Sequence, residues 1–152
     1  MSSLSPHRSA VREEWIDYNG HLSEAYYVLV FGHATDQVME QIGLGPAERE
    51  RTGSSLYTVE AHVRYLQEVA LGAELEVTTV IAGSAAKKLH LAHEMRSGGE
   101  LVATEEILAL HVAGEPARAT PFPESVAARI AELTAAGADA PAPEWTGRAI
   151  RV

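Results

Sequence analysis

The stretch Asp17-Tyr18-Asn19-Gly20-His21-Leu22-Ser23-Glu24-Ala25-Tyr26-Tyr27-Val28-Leu29-Val30-Phe31 decides how the rest of the chain is read. Its Asn-Gly step favours positive φ and predicts a tight turn. From Leu22 to Phe31 nearly every residue is apolar, and mixed polarity continues through Met39 and Ile42 to the stop at Gly43, Gly45 and Pro46. A helix without a polar face in its first half is expected to be enclosed on most sides. It is the predicted centre of the domain.

On its N-terminal side, His7 to Trp15 is expected to form a first strand with its charges at an edge. On its C-terminal side a polar link, Pro46 to Ser54, leads to a period-two segment. There Tyr57, Val59, Ala61, Val63 and Tyr65 alternate with Thr58, Glu60, His62, Arg64 and Leu66, predicting a strand with one apolar face. Leu75 to Ala82, Lys87 to Arg96 and Leu101 to Val112 follow as strands joined by Gly-Ser and Ser-Gly-Gly turns. A helix from Pro123 to Ala136 carries Val126, Ile130 and Leu133 on one stripe. One long helix before an antiparallel meander is an α+β order in which the sheet curls around the helix. The expected organisation is one domain over residues 1–136, closed by that C-terminal helix, and an Ala/Pro-rich tail over 137–152 with little reason to pack.

Composition narrows the function. The 152 residues suit one domain with a proper core, 46% of them hydrophobic and 22% charged. A formal net charge of −9 with no basic stripe argues against nucleic acid. There is no cysteine, which removes disulfides, thiolate metal sites and a cysteine nucleophile, and fits a reducing compartment. Met1 to Ala10 lacks the apolar run of a secretory signal, and no segment has the length of a membrane span, so a cytoplasmic location and no membrane partner are expected.

Residues 17–27 resemble the Asp-x-Asn-Gly-His-x-Asn-Asn-x-x-Tyr run of hotdog-fold thioesterases, including plant acyl-ACP thioesterases, and through Asp17, Gly20 and Tyr27 also resemble bacterial 4-hydroxybenzoyl-CoA thioesterases. The similarity in element order covers about residues 8–113. Within that superfamily, Trp15 to His21 together with Glu60 to Leu66 look most like the betainyl-CoA thioesterases of carnitine breakdown. The resemblance implies a hotdog fold, an acyl-CoA substrate and hydrolysis of its thioester. The usual Asn-Asn pair is here Ser23-Glu24, so a role for those side chains does not carry over.

Thioester hydrolysis needs an attacking water or carboxylate and donors for the oxyanion. Asp17 is the expected base or nucleophile, with Asn19 and His21 orienting water or polarising the carbonyl. Asp17 and Asn19 also suit a purely structural Asx turn. The backbone N–H groups of Ser23, Glu24 and Ala25, at the positive end of the helix, are the expected oxyanion donors. Trp15, Tyr26 and Tyr65 with Glu60 and His62 are candidates for binding the acyl group, since aromatic faces and a carboxylate recognise a quaternary ammonium. The competing fates are core packing for the rings and a solvated strand face for Glu60 and His62. Lys87 and Lys88, near a turn, are candidates for the CoA phosphates. His90 and His93 lie an odd number of residues apart on one strand and point to opposite faces, a poor metal pair, so no metal and no cofactor is expected. Open sheet edges call for a homodimer at least, or a dimer of dimers. Two other functions fit a hotdog domain: hydration or dehydration of an enoyl-CoA, and acyl-CoA binding without turnover.

Overall fold

The computed structural model describes residues 3–152. Its elements run β1 (His7–Ala10), α1 (Glu24–Gln41), α2 (Pro46–Thr52), β2 (Ser55–Tyr65), β3 (Glu74–Ser84), β4 (Lys88–Ser97), β5 (Glu100–Ala113), β6 (Arg118–Ala119) and α3 (Glu124–Ala136). The strands form one antiparallel sheet in the order β1-β3-β4-β5-β2, with β6 on β5. This is the curled sheet and long helix of a hotdog fold. The 18-residue α1 spans about 27 Å at ~1.5 Å per residue.

Helix α1 buries Tyr27, Val30, Phe31, Ala34, Val38 and Met39, a stripe at helical spacing, against the sheet face that carries Leu75 and Val77 of β3, Leu89, Leu91 and Met95 of β4, and Ala103, Ile107 and Ala109 of β5. The expectation of enclosure on most sides needs correction: Val28 and Leu29 are exposed in the single chain. Helix α3 adds Val126, Ile130 and Leu133 to the end of the core beside Ile42 and Phe122.

Three other expectations change. The first strand stops at Ala10: Val11 still donates to Ala73 O, and the chain then turns through a 3-10 segment, Glu13–Trp15, that carries Trp15 into the core. The polar link holds the short helix α2, started by Pro46 at a position needing no N–H and ended at Gly53 with φ 68°. In β2 the alternation breaks at a bulge between Thr58 and Glu60: beyond it Ala61, Val63 and Tyr65 keep the inward face, and before it the faces are inverted, so Leu56 rather than Tyr57 meets the core.

The tail does not trail away. Trp145 donates to Glu94 Oε1 (3.4 Å) and the Gly147 N–H to Glu106 Oε1 (2.8 Å), both carboxylates on the outer sheet face, where Ala92 and Thr104 are buried. An indole N–H and a free backbone amide found carboxylates that alternation had turned outward.

Phe31 is fully buried, its ring stacked at 5.9 Å on that of His93, so it joins helix to sheet. Phe31→Ala is expected to cost about 3–5 kcal/mol in urea unfolding with an unchanged slope; a loss below about 1 kcal/mol would show that this layer is not the centre of the core.

Candidate active site

The segment between Trp15 and α1 is a narrow loop closed by backbone bonds. Asp17 N–H donates to His21 O (3.0 Å), Gly20 N–H to Asp17 O (3.0 Å), and Ile16 bridges Leu22. Gly20 sits at φ 81°, the left-handed backbone that the Asn-Gly step supplies. Inside this loop the Asn19 N–H donates to Asp17 Oδ1 (2.8 Å), an Asx turn that leaves the second carboxylate oxygen for other work. The turn and the chemistry are therefore compatible readings of the same residue.

Two further bonds fix the helix entry: Leu22 N–H to Val69 O (2.8 Å) and Ser23 N–H to Trp15 O (2.9 Å). The second removes Ser23 from the expected oxyanion donors, because its hydrogen is already committed. Tyr26 N–H is taken by Ser23 O (3.0 Å). Glu24 and Ala25, the first two residues of α1, have no preceding helical carbonyl within reach, and their N–H groups remain at the positive end of the helix.

Asp17, Asn19, His21, Leu22, Glu24, Tyr27, Tyr65 and Glu68 line an open cleft of about 570 Å³ at this end of the sheet. It unites Asp17, Asn19, His21, Glu24 and Tyr65 from the sequence reading and adds Tyr27 and Glu68. His21 Nε2 lies 3.4 Å from Glu68 Oε2. Tyr27 and Tyr65 meet edge to face at 5.2 Å, with Tyr27 Oη donating to Gln67 O (2.8 Å) and Tyr65 Oη to Glu24 O (3.4 Å). Burial, and after it the charges nearby, Glu68 for Tyr27 and Glu24 and Glu105 for Tyr65, push both phenols above their usual 10.0. They stay protonated donors at neutral pH. Among the described residues the lining carries three carboxylates and no lysine or arginine.

The other candidates fall elsewhere. Trp15 is buried in the core, stacked on Tyr26 (5.8 Å) with the Arg12 guanidinium over its ring (5.3 Å), so packing claims both rings. Glu60 and His62 project to the outer face of β2, opposite Leu108 and Glu106, and line a separate cleft with His90 and Arg148. Lys87 and Lys88 are exposed at the β3–β4 turn, near the opposite end of α1. His90 bonds Glu106 on the outer face (2.7 Å), whereas His93 is buried.

Two titratable groups lie in the core face: His93, considered in the sequence only as a metal ligand, and Glu105, which the sequence reading does not single out. His93 has both ring nitrogens engaged, Nε2 with Thr35 Oγ1 (2.9 Å) and Nδ1 with Thr79 Oγ1 (2.8 Å), and burial lowers it from 6.5 to about 4. It is a satisfied neutral core histidine. Glu105 is its cross-strand neighbour, with Val63 on its other side. It is only 4% exposed, and burial raises it from 4.5 to about 7. The signal was present: in Ala103, Glu105, Ile107, Ala109 a carboxylate interrupts the apolar face of a strand.

Because the folded protein holds the Glu105 proton more tightly than the unfolded chain does, this group's contribution to stability falls as pH rises from 4.5 to about 7. His93 acts in the opposite sense, its contribution being lost as pH falls from 6.5 through about 4. Removing the Glu105 charge isolates its share. Glu105→Gln is expected to be more stable than wild type by about 2–3 kcal/mol near pH 8, with the difference vanishing near pH 4.5; a pH-independent difference in urea unfolding would contradict this.

The thioesterase-like superfamily matches residues 11–130. A betainyl-CoA thioesterase of Pseudomonas aeruginosa is 42% identical over 149 residues, covering 97% of this chain and 94% of that protein. An L-carnitine dehydrogenase/betainyl-CoA thioesterase of Ruegeria pomeroyi is 43% identical over 145 residues, covering 93% of this chain and 29% of that longer protein. Among solved structures, a Staphylococcus aureus protein in complex with CoA superposes with a TM-score of 0.91 at 31% identity, covering 97% of this chain and 94% of the other. A candidate thioesterase of Pseudomonas putida gives 0.85 at 38% identity, covering 100% and 98%.

Proposed function

The chain belongs to the thioesterase-like superfamily, and from that premise we propose that it hydrolyses the thioester of a short acyl-CoA, with betainyl-CoA as the substrate. The observation that carries the reading is the cleft itself. A loop carboxylate, two uncommitted helix-entry amides, two tyrosine rings and a lining without lysine or arginine stand together. Relatives named as betainyl-CoA thioesterases support the acyl group. Tyrosine faces and carboxylates suit a quaternary ammonium and would repel an anionic acyl group.

In this reading the free oxygen of Asp17 takes a proton from water as the water oxygen attacks the carbonyl carbon. Negative charge gathers on the carbonyl oxygen, where the Glu24 and Ala25 N–H groups receive it. The carbon–sulfur bond then breaks, CoA leaves as the thiolate and takes up the proton that Asp17 received, which restores the carboxylate, and the acid departs. Asn19 holds Asp17 through its backbone, and His21 with Glu68 borders the water's approach. No step requires a metal or cofactor.

A second copy of the chain completes the proposal. Strand β2 has an unpaired outer edge along its length, with Tyr57, Val59 and Tyr65 exposed. Such an edge, together with the exposed Val28 and Leu29, is suited to pairing with its equivalent in a homodimer. Among the described residues no helix is long and apolar enough to cross a membrane; we place the enzyme in the cytoplasm, where a cysteine-free chain meets acyl-CoA.

Asp17→Asn keeps the oxygen that accepts the Asn19 N–H, so the loop should survive while the base is lost. Its kcat for betainyl-CoA is expected to fall about 100-fold or more with KM changed by less than about threefold, measured by release of free CoA without added metal. His21→Ala should cost less. Near-normal kcat in Asp17→Asn would reduce Asp17 to a turn residue.

A further inference from the structure

Glu105 is hard to explain as architecture. A carboxylate on the helix-facing side of a central strand has no hydrogen bond or ion pair to any described residue, although its neighbour His93 has both nitrogens satisfied. Its oxygens are not fully sealed from solvent, but a carboxylate with only 4% of its residue surface exposed still costs stability when ionised. A glutamine or an aliphatic side chain would fill the place without that charge. Sites that break a local rule at a cost in stability tend to be functional ones.

Its position supplies the use. Glu105 lies across from Val63, one step along the same face from Ala103, whose partner is Tyr65. The Glu105 and Tyr65 side chains are therefore diagonal neighbours on one face of the β2–β5 pair. Tyr65 in turn reaches Glu24 O at the entry of α1, beside the amides assigned to the thioester oxygen. In a betainyl group the cationic nitrogen is two bonds from the carbonyl carbon. An acyl group whose oxygen meets Glu24 and Ala25 therefore places that nitrogen close to Tyr65 and Tyr27, with Glu105 behind them.

We propose that Glu105 is the specificity-determining residue that reads the positive charge of the acyl group, as an anion behind the tyrosine pair that a quaternary ammonium neutralises and a neutral acyl group does not. The proposal rests on the betainyl reading above and names the side chain responsible for it. Asp17, Glu24 and Glu68 face the same cleft, but Glu24 and Glu68 are exposed and screened by water, Glu68 lies beside His21, and Asp17 is occupied by the reaction. Burial strengthens the interaction at Glu105, where the carboxyl, raised to about 7 by its surroundings, is poised to give up its proton as a cation arrives.

The test compares kcat/KM for betainyl-CoA and for its uncharged isostere tert-butylacetyl-CoA in wild type and in Glu105→Gln. Wild type is expected to prefer the cationic substrate by more than about tenfold. Glu105→Gln should lose most of that preference, at least about tenfold in the ratio, while kcat/KM for tert-butylacetyl-CoA stays within about threefold of wild type. Activity on the neutral substrate shows that the variant is folded and its hydrolytic groups are in place, so a general collapse cannot imitate the result. If wild type prefers betainyl-CoA and Glu105→Gln keeps that preference, or loses activity on both substrates equally, the assignment of Glu105 is overturned and the betainyl reading stands. If wild type shows no preference, the betainyl reading fails and the role of Glu105 fails with it.

Discussion

Two backbone hydrogen bonds, Leu22 N–H to Val69 O and Ser23 N–H to Trp15 O, hold the first residue of α1 where the rest of the site needs it. One ties the helix entry to the segment after β2, the other to the loop that carries Asp17. Between them they set the Glu24 and Ala25 amides at the start of α1, next to the cleft that Asp17 and Glu24 line. Burial of Trp15 anchors the loop from below, so the ring that aromatic chemistry nominated for the ligand works one layer beneath it.

The core supports this arrangement and also bears its cost. Phe31 presses on His93, and His93 is made neutral and inert by two threonine hydroxyls. Glu105, on the same layer, receives no such compensation. Their opposite pH dependences offset one another over the range between about 4.5 and 6.5, so the intact protein hides a conflict that single substitutions expose. Stability given up at one core position next to a binding cleft is the pattern expected when activity needs a charge that folding does not.

Much of the fold was legible because its signals are local. The Asn-Gly turn, the apolar run after it and the alternation in the later strands each state their own period. What could not be read depended on partners distant in sequence. The bulge between Thr58 and Glu60 changes which residues of β2 face inward, and nothing in an unbroken alternation announces it. Glu60 and His62 lie beyond the bulge, where the alternation holds, and belong to the outer face as a solvated strand side would. The Ser23 N–H looks free in the sequence and is committed to the Trp15 carbonyl by the fold, and Trp145 of the tail finds its partner, Glu94, 51 residues away. Asp17, Asn19 and His21 could be grouped from sequence because one short turn holds all three in one cleft; Glu105 needed the sheet to bring it beside Val63 and Tyr65.

The most direct test is the crystal structure of the protein bound to a betainyl-CoA analogue in which a methylene replaces the thioester sulfur, so that the carbonyl is retained and cannot be hydrolysed. The account predicts the carbonyl oxygen at about 2.7–3.2 Å from the Glu24 and Ala25 nitrogens, with Asp17 facing the carbonyl carbon across one water. An acyl group seated instead on the outer face, among His62, His90 and Arg148, would contradict it.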